Sequence, residues 1–217
     1  MAQRKPPRRT RERIVETALG LFNRLGEPHV TTADIADELN ISPGNLYYHF
    51  RNKDDIIGEL YAALEAHIAP LLAVPPDRPP GIEDLWLLLH LLFERMREYR
   101  FFYRDLDEIM SRNRKIALRF AALNRRGEST MLELCRGLAA TGAMRASERE
   151  MAALATNAVM VATYWMSWQR IIAPATHGAE EDTRLGHAAY QVLGLIAPFL
   201  VGDARALVER LGADYVQ

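Results

Sequence analysis

Apolar residues recur three and four positions apart along most of the chain, and strand-type alternation is absent, so the sequence predicts an all-α protein. The first amphipathic stretch covers residues 10–25. Its stripe is Ile14, Val15, Ala18, Leu21, Phe22 and Leu25, and Gly26 and Pro28 stop it. Thr31 and Asp34 give a capping-box signal for a short helix reaching Leu39. Ser42 followed by Pro43 opens another, because proline at the first helical position sacrifices no hydrogen bond. Asn52 and Asp55 then open a long helix with Ile56, Ile57, Leu60, Tyr61, Leu64, Ile68, Leu71 and Leu72. The segment AVPPDRPPG at 73–81 carries four prolines, which a helix interior does not tolerate, and reads as a boundary. Beyond it the pattern predicts helices near 82–99, 103–112, 114–140, 147–173, 183–201 and 203–212, with Ser147 and Glu150 as a further capping box and ATHGAEED as the loop between the last long pair.

Composition narrows the class. A chain of 217 residues can bury a sizeable core. The single cysteine, Cys135, allows no disulfide within the chain and fits a reducing cytoplasm; it sits in the apolar series Met131, Leu134, Leu138 and reads as a packed thiol. The basic N-terminus lacks an apolar h-region, so it does not read as a secretory signal. Residues 151–169 carry no charge, but Thr156, Asn157, Thr163, Ser167 and Gln169 are spread around them, so the expectation is a buried bundle helix and no membrane span. No HExxH, phosphate-cradling glycine loop or nucleophile elbow occurs, and the expectation is a protein that is not an enzyme and takes no cofactor and no metal. Asp105 and Glu108 read as solvated acids near a helix start.

Three helices joined by short turns, the second and third only a few residues long, point to a helix-turn-helix module. Ile35, Ala36 and Leu39 face inward, Ile41 plugs the turn, and Leu46 and Phe50, four apart, share the inner face of the third helix. Gly44, Asn45, Tyr47, Tyr48 and His49 are left outside. That set suits DNA: glycine admits a close backbone approach, asparagine offers a donor and an acceptor to a base edge, and tyrosine hydroxyls reach phosphate while their rings pack on sugar or a thymine methyl. Thr31 and Thr32 begin the second helix, whose amides can meet a phosphate, and Lys53 begins the fourth with a full charge. Bland alternatives stand beside these: Tyr47 as a ring packed on the fourth helix, His49 as a dipole partner at a helix end, Lys53 as a solvated cation.

The stretch TTADIADELNISPGNLYYHFRNKDDII closely resembles the DNA-binding signature of the tetracycline-repressor-type (TetR) family of bacterial regulators, over about residues 10–60. The resemblance implies a homodimer on a palindromic double-stranded operator, with paired third helices in successive major grooves and a C-terminal ligand-binding domain. It implies base contacts from Gly44 and Asn45, backbone contacts from Thr32, Tyr47, His49 and Lys53, and either kind from Tyr48. Ala33 departs from the family's long polar residue at that place. The expected organisation is a basic flexible tail at 1–9, the helix-turn-helix domain at 10–52, a connecting helix at 53–72, a proline-rich linker at 73–81 and a ligand-binding and dimerisation domain at 82–217. The expected function is a ligand-responsive regulator, a repressor released from its operator by an apolar or amphipathic small molecule. The alternatives are a regulator without a small ligand, switched by a protein or acting as an activator, and, from a different class, a helical enzyme or membrane-associated protein.

Charge is unevenly placed. Residues 14–58 carry a net charge of −4, whereas residues 1–13, with Arg4, Lys5, Arg8, Arg9, Arg11 and Arg13 against Glu12, carry +5. DNA affinity depends on neutralised phosphates, so the tail is expected to lie along the duplex. In the C-terminal half, Trp86, His90, Phe93, Met96, Phe102, Met110, Phe120, Tyr164 and Trp168 are the candidate lining of a ligand pocket, with His90, Asn124, Asn157 and Thr163 as its polar residues, although a ring and Met stripe at helical spacing also suits plain core. The dimer surface is expected on the last two long helices, about 147–173 and 183–201, through Leu185, Ala188, Ala189, Val192, Leu193, Ile196 and Phe199, with Gly186 and Gly194 permitting close approach, and with ordinary intrachain packing as the alternative.

Overall fold

The computed structural model describes residues 7–172 and 179–214, with side chains at 10–172 and 187–211. Helices α1 (Pro7–Leu25), α2 (Thr32–Glu38) and α3 (Pro43–His49) form the N-terminal module, and α4 (Lys53–Leu71) leads out of it. Helices α5 (Ile82–Glu98), α6 (Arg100–Arg104), α7 (Leu106–Arg112), α8 (Arg114–Ala140), α9 (Glu148–Ile172), α10 (Ala179–Ile196) and α11 (Gly202–Asp214) build the rest. The six N-terminal residues and residues 173–178, with the first half of the expected ATHGAEED loop, lie outside the described residues, and its second half, from Ala179, is already helical in α10. Since α1 starts at Pro7, three residues of the expected tail are helical.

The local signals explain the helix starts. Thr31 and Asp34 cap α2 reciprocally, Ser42 accepts from the Asn45 amide, and Asn52 accepts from the Asp55 amide. Gly26 ends α1 with φ 95°, a left-handed value that favours glycine. The turn between α2 and α3 uses Asn40 at φ 53°, one of the few side chains that accept this conformation readily.

Ile14, Ala18, Phe22, Ile35, Ala36, Leu46 and Phe50 are buried together in the module. Leu25 departs from the expected stripe: it is half exposed, because α1 ends there and nothing packs over it. The expected helix at 103–112 is two helices, broken at Asp105. That break lets the Asp105 carboxylate turn inward instead of remaining solvated: it is buried, accepts the Glu27 amide at 3.0 Å and pairs with Arg170 at 2.6 Å.

Cys135 is buried, and burial pushes its thiol up to about 11, so it is inert packing as expected. Among the described residues no helix is long and apolar enough to cross a membrane.

The C-terminal half grips α1 and the turn after it. Arg104 donates to the carbonyls of Phe22 (2.6 Å), which also accepts the Gly26 amide, and Asn23 (3.3 Å) in the last turn of α1. The Asn23 amide group closes the same contact, donating to the Glu98 carbonyl and accepting the Phe101 amide. Phe22 and Phe101 pack ring to ring at 5.2 Å.

Candidate nucleic-acid interface and buried cavity

On α3 the faces divide as the spacing predicts. Leu46 and Phe50 are buried, while Tyr47 is 52% and Tyr48 81% exposed. Gly44 and Asn45 are exposed and His49 is half-buried, its ring edge-on to Tyr48 at 5.2 Å. A Cβ at Gly44 would meet nothing closer than the Ser42 hydroxyl at 4.0 Å, and its backbone is not left-handed, so nothing within the chain requires glycine there.

The surrounding residues hold this face in place. The Tyr47 hydroxyl lies 3.1 Å from that of Thr32, tying α3 to the start of α2. Arg11 on α1 donates to the His49 carbonyl at 2.8 Å, lies over the Phe50 ring at 4.1 Å and pairs with Glu59. Thr31 is committed locally, its hydroxyl donating to Asp34 at 2.7 Å and accepting the Asp34 amide at 3.2 Å. The Thr31 amide, and then its hydroxyl, hold the Asp34 carboxyl below its ordinary range.

Lys53 departs from the expectation of a free phosphate ligand. Its ammonium donates to the carbonyls of Glu27 (2.9 Å) and Val30 (3.0 Å) and pairs with Glu27 Oε1 at 2.8 Å, which occupies its three hydrogens. Glu27 has no exposed surface and also pairs with Arg112, at the end of α7, at 2.7 Å. One carboxylate thus joins the first residue of α4 to the C-terminal half, and its backbone amide continues the link through Asp105 to Arg170 on α9. Its second oxygen, Oε2, is buried with no hydrogen bond among the described residues. Arg51, between α3 and α4, is exposed and has no ion pair among the described residues.

A cavity of about 60 Å³ lies among α4, α5, α8 and α9. Ile68 and Leu72 of α4, Met96 of α5 and Phe120 of α8 contribute its apolar wall, and Tyr103, Asn124 and Thr163 its polar part.

Of the expected pocket residues, Met96, Phe120, Asn124 and Thr163 line it, whereas Phe102 and Met110 do not. Phe93 is buried in core away from the cavity. Trp86 and His90 are partly exposed on α5, stacked on each other at 5.2 Å. Asn157, Tyr164 and Trp168 face outward on α9, because its inner face is taken by Leu154, Ala155, Ala158, Ala162 and Met166.

The last long helices need a similar correction. Ala188, Ala189, Val192, Leu193 and Ile196 of α10 are buried within the chain and Phe199 is partly buried, so this set forms intrachain core. The side chain of Leu185 lies outside the described residues. The exposed stripe is instead Asn157, Met160, Tyr164, Trp168 and Ile171 on α9, with Tyr190 and Gly194 on α10.

Two family profiles match the chain. The one described as "Bacterial regulatory proteins, tetR family" covers residues 14–60, and the one described as "Bacterial transcriptional repressor" covers residues 63–208. The chain belongs to the TetR family of bacterial transcriptional regulators. The two matched segments meet within α4. A solved TetR-family regulator from Marinobacter aquaeolei VT8 is 34% identical, with a TM-score of 0.84 over 96% of this chain and 99% of that one. The regulator AcrR of Shigella flexneri is 29% identical over 42% of this chain and 44% of its own length. The regulator TtgR of Pseudomonas putida is 26% identical over 59% of this chain and 62% of its own. The chain therefore matches less than two thirds of the length of these curated relatives.

Proposed function

We propose that this chain is a homodimeric repressor that leaves its operator when a small apolar or amphipathic molecule enters the cavity. The observation that carries the reading is the placement of α4. Three residues separate it from α3, and Ile68 near its far end, with the capping Leu72, contributes to the cavity wall. A molecule that displaces those two side chains acts on the helix that carries the DNA-reading face.

On DNA, α3 enters the major groove. Gly44 and Asn45 sit at base edges, Tyr47 and His49 at the backbone, and Tyr48 at either. Thr32 supports this set through Tyr47, and the amides at the start of α2, next to Thr31, meet a phosphate. Arg51 takes the phosphate contact that the committed Lys53 does not. The exposed α9 stripe with Tyr190 and Gly194 pairs with its copy, setting two α3 helices about 34–36 Å apart, one turn of DNA. Ligand binding favours a dimer in which that spacing no longer fits.

Binding-site selection from random DNA tests this reading. A palindromic site should emerge, Gly44→Leu and Tyr48→Ala should lose it with the helical fold intact, and Asn45→Ala should relax preference at particular base pairs. Selection of no site, or an unchanged site with Asn45→Ala, would overturn the interface as drawn.

A further inference from the structure

We infer that the molecule taken by the cavity is uncharged, with an apolar body and one hydrogen-bond-accepting oxygen of the ketone, lactone or ester kind. This rests on the proposed reading of the cavity as the effector site.

The lining carries no charged side chain. The Arg119–Glu65 pair is closed on itself, and Arg119 lies over the buried Tyr61 ring at 5.0 Å. A carboxylate or ammonium entering here would lose its water without gaining a partner, the costliest transfer a binding site can impose. Aromatic rings offer no substitute for a cation. Tyr103 and Phe120 are engaged edge to face with each other at 6.2 Å and with Phe102 at 5.9 and 5.5 Å, instead of standing around an open cage.

The polar wall keeps two donors unspent beside the Thr163 hydroxyl oxygen. Thr163 spends its hydrogen on Asn124 Oδ1 at 2.9 Å, and Asn124 donates one amide hydrogen to the Phe120 carbonyl at 2.9 Å. This leaves the second amide hydrogen of Asn124 and the Tyr103 hydroxyl, which has no hydrogen bond among the described residues. Burial pushes the Tyr103 hydroxyl well above its ordinary value, so it stays protonated and able to donate. Two donors in an apolar pocket select an oxygen acceptor, and they reject a pure hydrocarbon because they would be left unpaired. At about 60 Å³ the cavity holds a few water-sized groups. A larger body must displace Leu92, Leu123 and the pliable Met96, and with them Ile68 and Leu72.

The test titrates the full chain calorimetrically with three probes that share a six-carbon tail: hexan-2-one, hexanoate and hexyltrimethylammonium. Hexan-2-one should bind at least tenfold more tightly than either ion. Tyr103→Phe and Asn124→Leu, each with its circular dichroism intact, should weaken it roughly tenfold, as loss of one buried hydrogen bond does. Ala162→Leu, which fills the cavity, should abolish it. Equal or tighter binding of an ion, lost in Ala162→Leu, overturns the uncharged class while leaving the cavity as the effector site. Ketone binding unchanged in both Tyr103→Phe and Asn124→Leu overturns the acceptor requirement. Binding indifferent to Ala162→Leu, or no binding of any probe to folded chain, overturns the inference together with the effector-site reading.

Discussion

The hydroxyls of Tyr47 and Thr32 lie 3.1 Å apart, so the residue at the centre of the exposed α3 face is fastened to the first turn of α2. Both helices then meet DNA as one unit with the Tyr47 ring already placed. Tyr47→Phe and Thr32→Val should each lower operator affinity several-fold while leaving the fold intact. The double variant should lose less than the two losses combined, because each single change already breaks the shared bond. A double-mutant cycle read by fluorescence anisotropy checks this, and strict additivity would count against the pairing.

Lys53 and Glu27 support a different expectation. Removing Lys53 leaves the buried Glu27 carboxylate with Arg112 alone and strips a donor from the carbonyls of Glu27 and Val30, at a cost on the order of 3 kcal/mol. Lys53→Ala should therefore lower Tm by roughly 5–10 °C. Combining it with Glu27→Gln should recover part of the loss. A melt unchanged by Lys53→Ala, with operator binding lost, would return the ammonium to phosphate duty.

Acid should loosen the helix starts. Asp34 is held below the ordinary carboxylate range by the Thr31 amide and hydroxyl, Glu150 by the Ser147 hydroxyl and amide, and Asp84 by Arg78. A carboxylate with a depressed folded value stabilises fully above its unfolded value, about 4, and that stabilisation is lost as pH falls through the folded value. Urea unfolding should show little pH dependence from 7 to 5 on account of these groups, then a falling midpoint below 4. Asp34→Asn should flatten part of that fall.

The α9 stripe yields a solution test. Tyr164→Glu with Trp168→Glu places charge on a surface that is already exposed in the single chain, so the fold should persist. Sedimentation velocity should then report a monomer, and operator affinity should drop with it. A stable dimer in that variant would move the interface elsewhere.

The N-terminal module was legible because its chemistry is local. Caps at Thr31, Ser42 and Asn52 lie within three residues of the amides they serve, and the four-residue spacing of Leu46 and Phe50 fixes which side of α3 is inside. The cavity was less legible because α9 is apolar on nearly every side. Its inward face is chosen by close packing against α8 and α10, which favours Ala155, Ala158 and Ala162 over the larger Tyr164 and Trp168. On α9, ring size therefore pointed the wrong way, whereas Phe120 of α8 lines the cavity as expected. The engagement of Lys53 was hidden for a related reason: its partners at residues 27 and 30 come from a turn far back in sequence, whose carbonyl directions no local pattern encodes.

The proline-rich segment at 73–81 is fastened at both ends to one helix. Thr130 of α8 donates to the Leu72 carbonyl at 2.8 Å, and a Cβ on Gly137, two turns further along α8, would lie 2.5 Å from the Pro80 ring. What reads in the sequence as a loose joint is thus a riveted bracket. The far end of α4 is fixed by it, and any tilt of the near end works against the Lys53 contacts with Glu27 and Val30. With 19 residues, α4 is about 28 Å long, so a tilt of about 5° around the bracket carries Lys53 through about 2.5 Å. That is a large fraction of a hydrogen bond's reach, obtained from side-chain shifts of well under an ångström near the fulcrum.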